Sequence, residues 1–508
     1  MKSAEQNSRA QQRALTRIVL LLDSALRFAR RIPSWGWVWI GSSLWHLFLI
    51  AHAAPNVFPD SGSYTHLAEA IRDNKWVPAF TFRTPGYPFF LYLIFSAAGW
   101  KNFYAVMVVQ ACLGATIPVL LYALYRLIVS QRWLAVVGGL AFLLDRYSIG
   151  LETVPLTEFL CGYTILLALV TFLYALRTRN YWLGLGAGFA AGVNFLIRPT
   201  FEYVYLAWVI AAVVLCWTST VSREDRLRLL KWLCVYLLPF FLSYASWSFV
   251  VWRHTHVFAP SLQLGASMTN HTGAFMELAP DQYAKIRDIY VAEREKRGGD
   301  HINLFDEAGW KIADATSMTL WQLSLKFREI NAYLIMHYPD RYLRQVVAAW
   351  DRIWIEDSHY LVDLTDPYAT GKPVTYTSYF RFIATNALSR LIYLLPETLL
   401  WHRPMILRAI PWVLSACALM LIFWGKRECM ARLTLVLFIG TIFYHILVHV
   451  LVQLTEFGRY KLPVQGLWFS LLLFSLATAG ARVVARMRGS NAQQPPVSKS
   501  SKQIKRSR

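Results

Sequence analysis

Two stretches of one connecting segment bring together a carboxylate and a guanidinium: Phe58-Pro-Asp-Ser-Gly-Ser-Tyr-Thr-His-Leu-Ala-Glu69 and Phe82-Arg-Thr-Pro-Gly-Tyr-Pro88. Pro59 and the Ser-Gly-Ser run are expected to break a helix and present Asp60 at a helix-to-loop junction. Read alone, Asp60 could cap the helix that follows. A carboxylate so placed can also take a proton from a hydroxyl. Tyr64, Leu67 and Ala68 recur at helical spacing and can dock that short helix onto a bundle. Arg83 enters a Thr-Pro-Gly-Tyr-Pro corner whose two prolines fix φ, with Tyr87 inside it. A guanidinium held there can grip a phosphate by paired hydrogen bonds; taken alone, it could equally snorkel to lipid headgroups.

Three further segments add polar chemistry. Leu151-Glu-Thr-Val-Pro-Leu-Thr-Glu158 ends on Glu158, which opens an apolar helix and could serve only its dipole. Leu454-Thr-Glu-Phe-Gly-Arg-Tyr-Lys-Leu-Pro463 crowds Glu456, Arg459, Tyr460 and Lys461 into one short loop, which could be an interfacial belt. His445 and His449 lie four apart on one helical face, a spacing that suits a metal or a phosphate contact, though polar packing within a bundle explains it too. His254 and His256 are expected to be interfacial anchors. There is no Walker loop, Gly-x-Ser-x-Gly elbow or dinucleotide fingerprint. The residues call for no organic cofactor; the acids could hold a divalent metal.

These loops must be held at one depth by membrane helices. Of the 508 residues, 56% are hydrophobic and only 16% charged, against about 25% charged in an average soluble protein. That excludes a disordered chain, a coiled coil and a nucleic-acid-binding domain. Apolar runs such as Trp37–Ala54, Phe103–Tyr125, Trp232–Trp252 and Thr434–Leu454 approach or exceed the roughly 18 residues that read as a spanning helix. Ten spans are expected: about 37–54, 103–125, 133–150, 159–176, 181–197, 202–217, 232–252, 404–424, 431–452 and 463–480. Arg198-Pro199 turns the chain on the outer side. Residues 253–402 carry both signs of charge and hold no apolar run of that length, so they read as a water-exposed domain with helices over Gln282–Lys296, Leu320–His337 and Asp340–Trp354. Residues 380–401 read as amphipathic.

Charge sets the orientation. With the N-terminus inside, the cytoplasmic pieces hold 26 of the 51 Lys and Arg but 5 of the 30 acids, which accounts for the whole net charge of +21. The basic excess therefore marks topology rather than an acidic partner. The first apolar stretch, Ile18–Leu26, is short and contains Asp23, so no cleavable signal is read; residues 12–31 resemble a basic helix lying on the inner leaflet. The six cysteines lie in or beside spans, and no disulfide framework is indicated. The expected divisions are 1–35, a cytoplasmic basic amphipathic segment; 36–252, an N-terminal transmembrane module with outer loop 55–102; 253–402, an extracytoplasmic domain; 403–480, C-terminal transmembrane helices; and 481–508, a basic disordered cytoplasmic tail. The protein is expected to be multi-pass in the cytoplasmic (inner) membrane, with both termini inside.

The Pro-Asp-Ser-x-x-Tyr…Arg-Thr-Pro-Gly-Tyr-Pro loop resembles the first outer loop of bacterial GT-C glycosyltransferases. The nearest type is glycosyltransferase family 39, which includes protein O-mannosyltransferases and the lipid A aminoarabinose transferase. Val-Pro-Leu-Thr-Glu158 is similar to their second outer loop, and Glu-Phe-Gly-Arg-Tyr460 to a late-helix motif. The likeness covers roughly residues 37–205 and 440–480. It implies an all-α bundle of about 10–12 transmembrane helices with a mostly helical extracytoplasmic domain. It implies an enzyme that moves a sugar, with inversion, from a polyprenyl-phosphate carrier to an extracytoplasmic glycan, lipid or protein acceptor. Asp60 would be the general base, or a metal ligand beside it. Arg83, Arg459 and Tyr460 would bind the donor phosphate, and Glu158 would be the second-loop acid. Tyr64, Tyr87, Arg198, Glu456 and His449 complete the residues expected to contact substrate. Two departures stand out: Ser61 follows Asp60 where mannosyltransferases carry a second acid, and Arg83 lacks their Lys-Pro-Pro form. The competing readings are a flippase for a lipid-linked glycan, disfavoured by the lack of paired repeats, and an en bloc oligosaccharide ligase.

Overall fold

The computed structural model describes residues 31–218, 223–298, 307–355, 409, 411–413, 415–416, 429–453 and 457–491. The expected basic helix at 12–31, the amphipathic stretch 380–401 and most of the span near 404–424 lie outside them, as does the tail beyond 491. Every regular element among the described residues is helical, as an all-α chain requires. Five helices there are long and apolar enough to cross a membrane: Phe103–Ile128, Thr157–Thr178, Arg226–Thr255, Cys429–Val452 and Leu462–Ala485. Shorter apolar helices stand at Gly86–Ala98, Arg132–Leu144, Tyr181–Ile197 and Pro199–Val214.

The N-terminal half runs α1 (Ser34–His52), α2 (Pro59–Arg72), α3 (Gly86–Ala98), α4 (Phe103–Gly114) and α5 (Ile117–Ile128), with α4 and α5 forming one span. It continues with α6 (Arg132–Ala141), α7 (Thr157–Thr178), α8 (Tyr181–Ile197), α9 (Val204–Thr218) and α10 (Arg223–Thr255). The span expected over 133–150 is not continuous. It ends at Leu144, and Asp145 turns extended. The buried Asp145 carboxylate accepts from the Ser148 hydroxyl at 2.5 Å and from Gln465 Nε2 at 3.2 Å. An acid at this depth needs such partners, and the backbone leaves the helix to supply them.

α8 carries Gly184, Gly188 and Gly192 at four-residue spacing, the pattern that lets membrane helices approach closely. It uses them against α10: a Cβ on Gly188 would sit 1.9 Å from the Tyr236 carbonyl oxygen. Around this seam Phe172, Trp208, Trp232 and Tyr236 form a buried aromatic cluster.

Beyond α10 comes a second, smaller core of Phe275, Met276, Tyr290, Phe327 and Ile330. It is built by α11 (Leu264–Thr272), α12 (Ala284–Lys296), α13 (Glu307–Thr316) and α14 (Leu320–His337). α12 starts two residues later than expected because Asp281–Tyr283 forms a tight turn first. α15 (Pro339–Ile355) instead buries Ala349, Ile353 and Trp354 in the main bundle core. α16 (Cys429–Val452) and α17 (Leu462–Asn491) complete the bundle. α11 is the bridge between the two cores: the His271 ring donates to the Val450 carbonyl at 3.0 Å, and Asn270 Nδ2 donates to Gln453 Oε1 at 2.6 Å.

Gly188→Val should lower the thermal unfolding midpoint in detergent, by about 1–3 kcal/mol of overpacking. Gly186→Val, where nothing lies within 4 Å of an added Cβ, should leave it nearly unchanged. Equal midpoints for the two variants would refute the close α8–α10 seam.

Candidate functional site

The segment between α1 and α3 folds so that Asp60 is not needed as a cap. Pro59 takes the first helical position of α2, where its missing N–H is harmless. The Phe58 N–H donates to Ser61 Oγ at 3.1 Å, closing the helix start from three residues on. The Ser-Gly-Ser run therefore lies inside the helix rather than breaking it; the break falls before Pro59. Asp60, half-buried in the first turn, is left to face outward from α2.

Two arginines meet it. Arg83 Nη2 donates to Asp60 Oδ1 at 3.1 Å, and Arg459 Nη1 stands 2.7 Å from Asp60 Oδ2. Arg83 is held by its corner: the Leu262 N–H donates to the Thr81 carbonyl at 2.7 Å, and the Ser261 hydroxyl donates to the Phe82 carbonyl at 2.9 Å. Its guanidinium also lies over the Tyr64 ring, 4.4 Å from the centroid.

Arg459 is shared. Its Nε donates to Glu158 Oε1 at 2.6 Å, and Arg198 Nη1 donates to the same oxygen at 3.1 Å. Glu158 itself has no exposed surface. The result is a continuous chain Arg83–Asp60–Arg459–Glu158–Arg198, drawn from four separate segments. Arg198 lies over the Tyr460 ring at 5.1 Å.

Asp60, Tyr64, Arg83, Arg198, Arg459 and Tyr460 line one cavity with about 250 Å3 of open volume. The same cavity is lined by uncharged polar residues: Gln263, Ser267 and Asn270 from the segment around α11, and Gln453 beyond α16. Those four residues carry no motif and were not anticipated; amides and hydroxyls in an unpatterned segment give no signal until folding places them.

The other anticipated residues stand elsewhere. Tyr87 is fully buried behind the cavity wall, edge-on to Tyr64 at 5.2 Å. Its hydroxyl donates to Gln110 Oε1 at 3.2 Å, and Gln110 Nε2 donates to the carbonyls of Glu152 and Val154 at 2.9 and 3.0 Å. Gln110 thus ties the segment between α1 and α3 to the segment before α7. His449 is buried behind Tyr460 and stacked on it at 4.6 Å. His445 donates from Nε2 to the Tyr460 carbonyl at 2.8 Å and stacks on Phe201. His254 stacks on Trp76 at 4.1 Å. Glu456 lies outside the described residues.

Burial alone would raise the Asp60 carboxyl, but Arg459 and Arg83 outweigh it and hold it below its ordinary value of 3.8. Asp60 is therefore ionised at neutral pH. Among the described residues no three His, Cys, Asp or Glu gather as metal ligands. Asp60 spends both oxygens on guanidiniums; Glu158 spends Oε1 on two of them, while its Oε2 accepts from the Thr157 hydroxyl at 3.2 Å.

No family model matches the chain, and no curated protein matches it. Among solved structures it is similar to the oligosaccharyltransferase of Archaeoglobus fulgidus tethered with an acceptor peptide, at a TM-score of 0.47 and 13% identity over 90% of this chain and 50% of that one. The apo form gives a TM-score of 0.45 and 14% identity over 90% and 51% of the two chains. The complex of that archaeal enzyme with an inhibitory peptide and a dolichol-phosphate gives 0.42 and 14% over 90% and 52%. The chain spans about half the length of the solved structures it matches.

Glu158→Ala takes the carboxylate partner from buried Arg198 and leaves Arg459 with Asp60, and should cost about 3–5 kcal/mol. Thermal unfolding in detergent reads this directly. An unchanged midpoint would mean that Glu158 does not hold the arginines together.

Proposed function

We propose that this chain is an integral membrane glycosyltransferase of GT-C type. It moves a sugar, with inversion, from a polyprenyl-phosphate carrier to a glycan, lipid or protein acceptor on the extracytoplasmic face of the inner membrane. The observation that carries this reading is the cavity itself: one accessible carboxylate beside three guanidiniums, roofed by neutral amides and hydroxyls. Charged groups at such depth are costly unless paired or functional. A lipid-linked phosphate suits the cations, and a hydroxyl-rich sugar suits the roof.

In the reaction the acceptor oxygen forms a bond to the anomeric carbon. The bond from that carbon to the phosphate oxygen breaks, and its electron pair leaves with the polyprenyl phosphate. Asp60 takes the acceptor proton. Arg83, Arg198 and Arg459 stabilise the leaving phosphate, whose charge grows toward the transition state. The ion pairs explain the order of events. Without donor, Arg83 and Arg459 hold Asp60 and make it a weak base. A donor phosphate competes for the same guanidiniums and releases the carboxylate beside the sugar. Arg459 keeps Glu158 as an anchor and cannot swing far.

The test is transfer of labelled sugar from a panel of polyprenyl-phosphate sugars to membrane glycans, lipids and proteins by purified protein. Asp60→Asn should lose activity by about 10²–10⁴-fold while remaining folded and keeping its donor binding. Arg83→Ala should weaken donor binding. Full activity in Asp60→Asn removes it as the base. Transfer only from diphosphate-linked oligosaccharides would instead identify an en bloc ligase, and binding without turnover a flippase.

The pH dependence follows with a definite sign. A carboxyl lowered in the folded protein stays ionised as pH falls through the usual carboxylate range and is protonated only below it. The acid limb of kcat/KM, which reports the donor-free site, should therefore lie below 3.8, the ordinary aspartate value. The limb of kcat, which reports the donor-bound site, should lie higher. Coincident limbs would show that donor binding does not release Asp60.

A further inference from the structure

α11 joins the segments that carry two of the guanidiniums. Its start is fastened to the corner of Arg83 by the bonds from the Leu262 N–H to the Thr81 carbonyl and from the Ser261 hydroxyl to the Phe82 carbonyl. Its end is fastened to the segment that leads to Arg459, where Asn270 Nδ2 donates to Gln453 Oε1 at 2.6 Å. Between these ties Gln263, Ser267 and Asn270 recur at intervals of four and three, which places them on one helical face. All three line the cavity, together with Gln453.

The back of α11 is clamped against α14. A Cβ on Gly265 would fall 1.8 Å from the Ser324 carbonyl oxygen. The Ser324 hydroxyl accepts from the Ala266 N–H at 3.0 Å and donates to the Leu262 carbonyl at 2.5 Å. Fully buried Asn331 donates to the Gly265 carbonyl at 2.8 Å and to Thr269 Oγ1 at 3.2 Å, and accepts from the Thr272 hydroxyl at 2.6 Å. A helix gripped this closely from behind keeps its opposite face turned to the cavity.

That face has hydrogen-bonding capacity left. The Gln263 and Ser267 side chains are half-buried and make no hydrogen bond among the described residues. The Asn270–Gln453 bond leaves Asn270 Oδ1 and Gln453 Nε2, one acceptor and one donor. Hydroxyl groups, which both give and accept, match such a set. The open volume of about 250 Å3 falls below the roughly 300–1,000 Å3 of pockets that enclose drug-sized ligands, and suits one sugar ring beside a phosphate. Charge narrows the choice further. Asp60, already paired with two guanidiniums, is the one carboxylate among the described lining residues. A sugar ammonium would meet three cations there, and a sugar carboxylate would compete with the phosphate for them.

We infer that the α11 face and Gln453 form the sugar subsite of the donor, and that they select a single uncharged sugar by its free hydroxyls. This rests on the transferase reading above and names the class of sugar and the residues that read it. The arginines then hold the phosphate, whatever the sugar, and α11 decides which sugar is presented to Asp60.

The test compares donors on one polyprenyl phosphate carrier: uncharged hexoses and pentoses, an amino sugar, a uronic acid, a short oligosaccharide, and deoxy analogues of the sugar transferred best. Wild type should favour an uncharged single sugar over the charged ones by about tenfold or more in kcat/KM. Gln263→Ala and Ser267→Ala remove no hydrogen bond of the fold and should keep the unfolding midpoint. Each should lower kcat/KM for that sugar about two- to tenfold, while polyprenyl phosphate without a sugar binds as it does to wild type. With the one deoxy analogue that lacks the hydroxyl it reads, each variant should match wild type. A loss of packing would not single out one hydroxyl. A charged sugar or an oligosaccharide transferred best, an equal loss with every deoxy analogue, or unchanged kinetics in both variants overturns the sugar subsite and leaves the transferase reading intact. Wild-type protein inert with every donor overturns the transferase reading, and the sugar subsite with it.

Discussion

Glu158 enters the membrane region at the first turn of α7 with no exposed surface, and two guanidiniums converge on one of its oxygens. Removing a carboxylate from water is costly, and only close, well-directed cations offset it. Glu158 therefore dictates where Arg198, at the end of α8, and Arg459, between α16 and α17, must sit. Two cations around one anion leave positive charge over, and Asp60 meets it from the far side of Arg459. Arg83 then closes the chain. The segment between α1 and α3, the segment before α7, the α8–α9 corner and the α16–α17 corner are in this way registered to one another by a single alternation of charge.

Neutral contacts make that alternation rigid. Arg83 rests on Tyr64, Tyr64 on Tyr87, and Tyr87 on Gln110, whose amide grips the carbonyls of Glu152 and Val154 before α7. Gln110 has a partner for each of its polar ends, the condition under which a buried amide orients its surroundings rather than destabilising them. On the other side Tyr460 is braced by His449 and His445. The two histidines, four apart on α16, serve as packing for the cavity wall; they do not reach the cavity themselves.

The same charges impose a cost that the proposed chemistry can use. A carboxylate between two guanidiniums is a poor base, and a guanidinium bound to a carboxylate is a poor phosphate ligand. On the proposed reading both faults would disappear when a phosphate arrives, because the arginines would exchange one anion for another and free the carboxylate to act as a base. The neutral residues of α11 add hydrogen-bonding groups to the cavity but no further charge, and so would leave such an exchange undisturbed.

The length and hydropathy of the apolar runs determined that the chain is helical and crosses a membrane, because a backbone in hydrocarbon must satisfy its own hydrogen bonds and helices do so locally. The loop residues Asp60, Arg83, Glu158, Arg198, Arg459 and Tyr460 were legible as well: charge beside a membrane stands out against an apolar background. Sequence could not say which charges pair, since the partners lie from 23 residues apart, Asp60 and Arg83, to opposite ends of the chain, Asp60 and Arg459. Nor could it show that α6 stops before Asp145 to suit Gln465, that Ser61 rather than Asp60 closes α2, or that Gln263, Ser267, Asn270 and Gln453 roof the cavity. Those were decided by the tertiary structure, for one physical reason. Burial and pairing are properties of distance in space, and residues without a local pattern carry no trace of the neighbours that folding will give them.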